Sequence, residues 1–155
     1  MTTLIVYDSL YGNTEQIAKA ISQGIGGEVK MRRTSDVSPA DLKSADLLIV
    51  GSPTHGGRPS QPTQQLLAKV APGDLNNVRA AAFDTGIPSQ GQKAFMRFII
   101  KFFKYAAPRL GKILESKGAT VLAAETFFVL GKEGPLKDGE LEKATQWGKR
   151  LISEE

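Results

Sequence analysis

The sequence predicts an α/β protein, a doubly wound three-layer sandwich with helices on both faces of a parallel sheet. Three observations favour this class. Short apolar segments alternate along the chain with segments of helical spacing. The apolar segment at residues 47–51 is continuously hydrophobic, as expected of a central parallel strand covered on both faces. The length of 155 residues suits one domain, spanning residues 1–155.

Each predicted element has its own signal in the sequence. Strands are predicted at the β-rich apolar or alternating segments 3–7, 28–32, 47–51, 79–83 and 119–123. Helices are predicted at residues 14–23, 60–70 and 138–152, and the first is expected to end at the glycines that follow residue 23. Residues 90–117 are helical in composition, with Pro108 expected to kink or break this helix. Five alternations of strand and helix imply right-handed crossovers.

Composition excludes several kinds of functional site. Without cysteine there is no thiolate nucleophile, cysteine-based zinc site, iron–sulfur cluster or redox disulfide. The single histidine, His55, argues against a histidine-rich metal site or a histidine-paired catalytic triad. No apolar stretch of 18 residues and no signal-peptide pattern occurs, so we expect a cytoplasmic protein.

The net charge of +4 arises in the second half of the chain. Seven cations between Lys93 and Lys117 accompany Glu115 as the one acid of that stretch. The basicity is therefore local, and a nucleic-acid partner is not expected.

Three polar turns follow the carboxyl ends of predicted strands, where doubly wound sheets bind their ligands. They comprise residues 8–14, 52–59 and 84–91. In the first turn, hydroxyl, amide and backbone N–H groups at the positive end of a helix dipole would face one anion. This turn contains no Lys or Arg, so neutral dipoles would hold that anion. The same residues are equally typical of an ordinary helix cap. A P-loop is absent, and no Gly-x-Gly-x-x-Gly follows the first strand.

Ser9-Leu10-Tyr11-Gly12-Asn13-Thr14 after the first strand, with Gly51-Ser52-Pro53-Thr54 after the third, resembles the flavodoxin family. The family's phosphate loop runs Thr/Ser-x-Thr/Ser-Gly-Asn-Thr, and this chain departs from it at Tyr11. Tyrosine at that place is similar to flavodoxin-like modules of flavodiiron proteins and to quinone-reductase relatives. The resemblance extends from residue 3 to about residue 152. It implies a short-chain flavodoxin, five parallel strands in the order 2-1-3-4-5, and bound FMN.

The resemblance also implies which residues hold FMN, with the first turn around the phosphate and the other two as walls beside the isoalloxazine ring. The implied cofactor-binding residues are Ser9, Leu10, Tyr11, Gly12, Asn13, Thr14, Pro53, Thr54, His55, Gly56, Gly57, Arg58, Asp84, Thr85, Gly86 and Gly91. No catalytic residue and no metal ligand is expected. Family behaviour implies that a peptide at Gly56-Gly57 flips to accept the flavin N5–H on reduction, since glycine tolerates both backbone states. An ordinary glycine turn is the alternative.

Two departures from the family bear on the flavin. Neither wall contains the Trp or Tyr that many flavodoxins place against the ring, and His55 either contacts the flavin or points to solvent. Arg58 flanks one wall and Lys93 follows the other, while Asp84 is the one acid in either wall. Because a nearby cation favours the anionic reduced flavin, we expect a flavin that is easier to reduce than in an acidic relative.

The segment Phe95–Tyr105 combines five of the eleven aromatic residues with a narrow stripe of cations. Its pattern fits a core helix with one solvated face, and equally a surface that docks a redox partner, a second subunit or a membrane.

For function, the resemblance implies low-potential electron transfer between redox partner proteins. An FMN-dependent NAD(P)H, quinone or porphyrinogen oxidoreductase using the same cleft is the alternative. A cofactor-free binding module is the third hypothesis, because fold alone does not fix function.

Overall fold

A computed structural model describes residues 1–88 and 105–153, which form a sheet covered by helices. The strands are β1 (Thr3–Tyr7), β2 (Val29–Arg33), β3 (Leu47–His55), β4 (Arg58–Pro59), β5 (Arg79–Gly86) and β6 (Thr120–Phe128). The helices are α1 (Asn13–Ile25), α2 (Pro39–Lys43), α3 (Gln61–Ala68), α4 (Ala106–Ser116) and α5 (Glu140–Ser153), with a 3-10 turn at Thr34–Asp36. Within these residues, no helix is long and apolar enough to cross a membrane.

The strand order is β2-β1-β3-β5-β6, and every neighbouring pair in it is parallel. The short strand β4 pairs antiparallel with the end of β3 and lies off this path. The predicted doubly wound fold and order 2-1-3-4-5 are therefore confirmed, with β4 as an addition. In this topology the carboxyl ends of β1, β3 and β5 lie side by side at one edge of the sheet.

The core has two layers because successive residues of a strand face opposite sides of the sheet. Leu4 and Val6 of β1 pack in one cluster, together with side chains of α3 and α4. Ile5 packs in the other cluster, with side chains of α1 and α5. In that second cluster Phe83, Phe127 and Trp147 meet edge to face, with ring centroids 5.8–6.3 Å apart. The sandwich of three layers follows from these two clusters.

Three strands continue beyond their predicted ends, to His55, Gly86 and Phe128. The predicted segments stopped where the apolar residues stop, whereas the parallel ladder continues through Ser52 opposite Asp84. The polar carboxyl-terminal residues are therefore part of the sheet, which fixes their positions at the ligand-binding edge.

Two short elements were not predicted from the sequence. The β3–β4 hairpin turns at Gly56 and Gly57, whose φ angles of 59° and 78° have the positive sign that a two-residue type I′ turn requires. Helix α2 begins at a capping box formed by Ser38 and Asp41, a local signal that the apolar pattern did not reveal.

Of the predicted helix at residues 90–117, the structure describes residues 105–117. Helix α4 begins at Ala106, after the extended Tyr105, and contains Pro108 in its first turn, where proline is tolerated. The aromatic surface predicted at Phe95–Tyr105 lies outside the described residues except for Tyr105.

Candidate functional site

An open cleft lies at the edge of the sheet where β1, β3 and β5 end. The space within it is about 620 Å³ when open solvent is included. Its lining consists of Ser9, Leu10, Tyr11, Asn13, Thr14, Pro53, Thr54, His55, Thr85, Gly86, Ile87, Val129 and Lys132. The three polar turns predicted from the sequence therefore converge here.

The loop before α1 leaves backbone donors open to the cleft. Ser9 Oγ accepts hydrogen bonds from the N–H groups of Gly12 (3.1 Å) and Glu15 (3.3 Å). Gly12 has a φ of 90°, a conformation that favours glycine, and the helix begins at the next residue. The N–H groups of Asn13 and Thr14 donate to no partner within the described residues. These donors, at the positive end of α1, are suited to binding an anion.

Two buried side chains fix this helix end in place. Thr14 Oγ1 lies 2.9 Å from Thr85 Oγ1, which links α1 to β5. Asn13 Nδ2 donates to the carbonyl of Glu133 (3.1 Å), which links α1 to the loop after β6. The anion site is thus rigidly positioned relative to the sheet.

The second wall is the end of β3 and its hairpin. The hydroxyl of Ser52 lies in the core and accepts the N–H of Ser60 (2.8 Å), which fixes the chain that returns from the hairpin. Pro53, Thr54 and His55 line the cleft, and the side chain of His55 is exposed.

Asp84 lies beneath the cleft, with no exposed surface. Its carboxylate accepts hydrogen bonds from the hydroxyls of Thr54 and Thr126 (2.7 Å to the latter) and from the N–H of Ala106 (3.1 Å). Burial raises the pKa of Asp84 to about 6, although these donors favour the carboxylate and oppose the rise. Because Thr54 Oγ1 also accepts the N–H of Ala106 (3.1 Å), its hydroxyl is already engaged within the protein.

Ten of the predicted cofactor-binding residues line the cleft: Ser9, Leu10, Tyr11, Asn13, Thr14, Pro53, Thr54, His55, Thr85 and Gly86. Outside the lining, Gly12 shapes the first loop, and Gly56, Gly57 and Arg58 form the hairpin turn and the start of β4. Asp84 is placed under the wall and not in it, and Gly91 lies outside the described residues.

Sequence reasoning missed Val129 and Lys132, which line the cleft from the loop after β6. This loop also leaves the carboxyl end of a strand, and that rule was the one signal available for finding it. The first turn itself contains no cation, but the fold places Lys132 in the cleft lining and the guanidinium of Arg33 on the carbonyl of Ser9 (3.3 Å).

Some of the exposed side chains that line the cleft are apolar. Leu10, Tyr11 and Ile87 belong to its lining and are 63%, 43% and 42% exposed. Large apolar side chains that stay this exposed beside a polar site are typical of contact surfaces.

Comparisons with known proteins identify the same family as the loop motif. The chain matches the family model described as Flavodoxin over residues 5–147. A putative diflavin flavoprotein of Nostoc is 33% identical over 90 residues, 54% of this chain and 16% of that protein. This chain thus spans about a sixth of that relative.

Two further proteins are similar over nearly the whole chain. An NAD(P)H dehydrogenase (quinone) of Methylocella silvestris is 25% identical over 96% of this chain and 94% of its own length. The flavodoxin structure from Streptococcus pneumoniae TIGR4 superposes with a TM-score of 0.73 at 20% identity and full coverage of both chains, which supports the fold.

The residues of the cleft fit FMN, the cofactor that this family implies. A phosphate needs hydrogen-bond donors, and the N–H groups of Asn13 and Thr14, which have no partner among the residues that the structure describes, supply them at a helix N-terminus. A flavin ring needs a largely apolar slot, and Pro53, Gly86 and Ile87 are part of such a lining. The chain is a member of the flavodoxin family, and its cofactor is FMN.

Proposed function

We propose that this protein carries electrons at low potential between redox partner proteins, with FMN bound in the cleft. The observation that carries the proposal is the open anion site at the start of α1 beside an apolar cleft. Within the described parts of the chain this helix end leaves two N–H groups without a partner, so it gains stability when an anion binds there. Riboflavin, which lacks the phosphate, would leave these donors without that partner.

The chain's contribution is to bind and orient the cofactor. The hydroxyl of Ser9 and the N–H groups of Asn13 and Thr14 would hold the phosphate. Pro53 and His55 on one side and the Thr85–Gly86 segment on the other would contact the ring system. When bound, FMN supplies the one- and two-electron redox chemistry, while the protein tunes it and limits the access of water.

The hairpin turn at Gly56-Gly57 is the proposed site of a peptide that accepts the flavin N5–H. Both residues already have positive φ, and Gly56 has no atom within 4 Å of the place where a Cβ would be. Glycine at both positions would let the backbone adopt either state of such a flip, because neither residue has a Cβ.

The exposed residues Leu10, Tyr11 and Ile87 would form the contact surface for the partners. Small apolar contact areas of this kind suit brief encounters, because electron-transfer complexes bury little surface.

An NAD(P)H or quinone reductase is the second candidate function, and the Methylocella relative that matches nearly the whole chain favours it. Rapid mixing of the FMN-loaded protein with NADPH separates the two candidates. Loss of the oxidised flavin absorbance within seconds would support the reductase, whereas an unchanged spectrum would support the carrier.

The first experiment is a fluorescence titration of FMN into the cofactor-stripped protein, with riboflavin titrated in parallel. Quenching that saturates at one FMN per chain, with much weaker binding of riboflavin, would support the phosphate site. Ser9→Ala should reduce this preference for FMN, while the exposed Ser44→Ala should not change it. Equal binding of FMN and riboflavin by the unaltered protein would contradict the proposal.

A further inference from the structure

We propose that Lys132, in the loop after β6, recognises the phosphate of the bound cofactor. This inference rests on the proposed FMN site. The turn before α1 contains no cation, and among the described residues that line the cleft Lys132 is the one positive side chain. The site would then pair a dianion with a cation and with neutral N–H groups together.

Lys132 lines the same cleft as Ser9, Asn13 and Thr14, although it is distant from them in sequence. The flexible four-carbon stem of the lysine would bring its ammonium group to an anion bound in this cleft.

The loop that contains Lys132 is held against the helix end. The carbonyl of Glu133 accepts a hydrogen bond from Asn13 Nδ2 (3.1 Å). Gly134 approaches Asn13 so closely that a Cβ on it would lie 2.8 Å from Asn13 Oδ1, and its φ is 110°. At the start of the loop, before Lys132, the N–H of Val129 donates to the carbonyl of Gly86 (3.0 Å). The backbone on both sides of Lys132 is therefore anchored to the site.

The lysines near the carboxyl end of β6 differ in the partners that compensate their charges. Lys143, near the same end of β6, is within 3.6 Å of Glu125 and 3.7 Å of Glu140. Lys137 lies over the ring of Phe128, with Nζ 5.8 Å from its centroid. Lys132, in contrast, forms no ion pair with any carboxylate in residues 1–88 and 105–153. Its charge is available to an anion, and charge-assisted hydrogen bonds are roughly twice as strong as neutral ones.

The test compares Lys132→Gln with Lys137→Gln, which removes the same charge from the same loop but lies outside the cleft lining. Affinities for FMN and riboflavin are measured by fluorescence titration of the stripped proteins at several salt concentrations. Lys132→Gln should weaken FMN binding about tenfold and leave riboflavin binding unchanged. Its FMN affinity should also depend less on salt, because the screened charge is gone. Lys132→Arg should restore most of the loss.

The outcomes separate this inference from the proposed function. If the unaltered protein prefers FMN over riboflavin but Lys132→Gln binds FMN within twofold of it, the role of Lys132 is refuted and the phosphate site stands. An equal loss of FMN and riboflavin affinity would also refute it, because the lysine would then act on the ring or on the loop. If the unaltered protein shows no preference for FMN, both proposals fail.

Discussion

The buried carboxyl of Asp84 should make the fold less stable as pH rises from about 4 to about 6. Its pKa is raised to about 6 in the folded protein from an ordinary value of 3.8. The folded state therefore binds this proton more tightly than the unfolded chain does, so the protonated form favours folding. This contribution is fully present below pH 4, is lost as the pH passes through 6, and is absent above that.

The magnitude follows from the shift in pKa. One pKa unit corresponds to about 1.36 kcal/mol, so a shift of about two units makes the protein about 3 kcal/mol less stable at pH 7 than at pH 4 through this group alone. Domains of this size are stable by about 5–15 kcal/mol, so the effect is large enough to measure.

Asp84→Asn isolates this contribution, because asparagine keeps the shape and an acceptor for the N–H of Ala106 but does not titrate. Free energies of unfolding are measured by urea denaturation at pH values from 4 to 7. The stability of the variant relative to the unaltered protein should rise by about 3 kcal/mol over that range. Ser44→Ala, at an exposed position and without a titratable group, should show a constant difference. If the difference for Asp84→Asn were also constant, the raised pKa would be refuted.

Three further substitutions test the core, the helix anchor and the wall. Gly51→Ala would place a Cβ 2.0 Å from Cζ of Phe83, so we expect a loss of about 1–3 kcal/mol in urea denaturation, and an unchanged midpoint would contradict this packing. Thr85→Val removes the partner of the buried Thr14 hydroxyl (2.9 Å) and should cost about 1–3 kcal/mol by the same assay, with a neutral result showing that the pair contributes little. Arg58→Glu should lower the midpoint potential of the FMN-loaded protein in spectroelectrochemical titration, and an unchanged potential would refute the sequence-based expectation of an easily reduced flavin.

The fold could be predicted because a continuous run of apolar residues indicates a strand that is covered by helices on both faces of the sheet. Leu47, Leu48, Ile49 and Val50 are fully buried, and this continuous run alone places β3 at the centre of the sheet. The strand ends could not be predicted in the same way. Ser52 is polar yet fully buried in the sheet, since its hydroxyl is satisfied by local hydrogen bonds.

The candidate site was predictable to the extent that one rule of topology governs it. Residues that follow the carboxyl ends of β1, β3 and β5 were expected together, and the cleft contains residues from all three turns. The residue types alone could not show that Asp84 is buried outside the cleft lining while its neighbour Thr85 lines the cleft. Lys132 was missed because its position depends on how the loop after β6 packs on Asn13. This contact joins Asn13 to Glu133, which are 120 residues apart in the sequence.

Two helix ends at this edge of the sheet differ in whether the protein itself supplies an anion to them. Helices α1 and α4 both begin at the carboxyl side of the sheet, and each presents a positive end there. At α4, Asp84 from the protein itself accepts the N–H of Ala106, so that end is occupied by an internal carboxylate. At α1, the N–H groups of Asn13 and Thr14 have no such partner among the described residues. An external anion therefore finds unsatisfied donors at α1 and a negative charge at α4, which favours binding with the phosphate at α1.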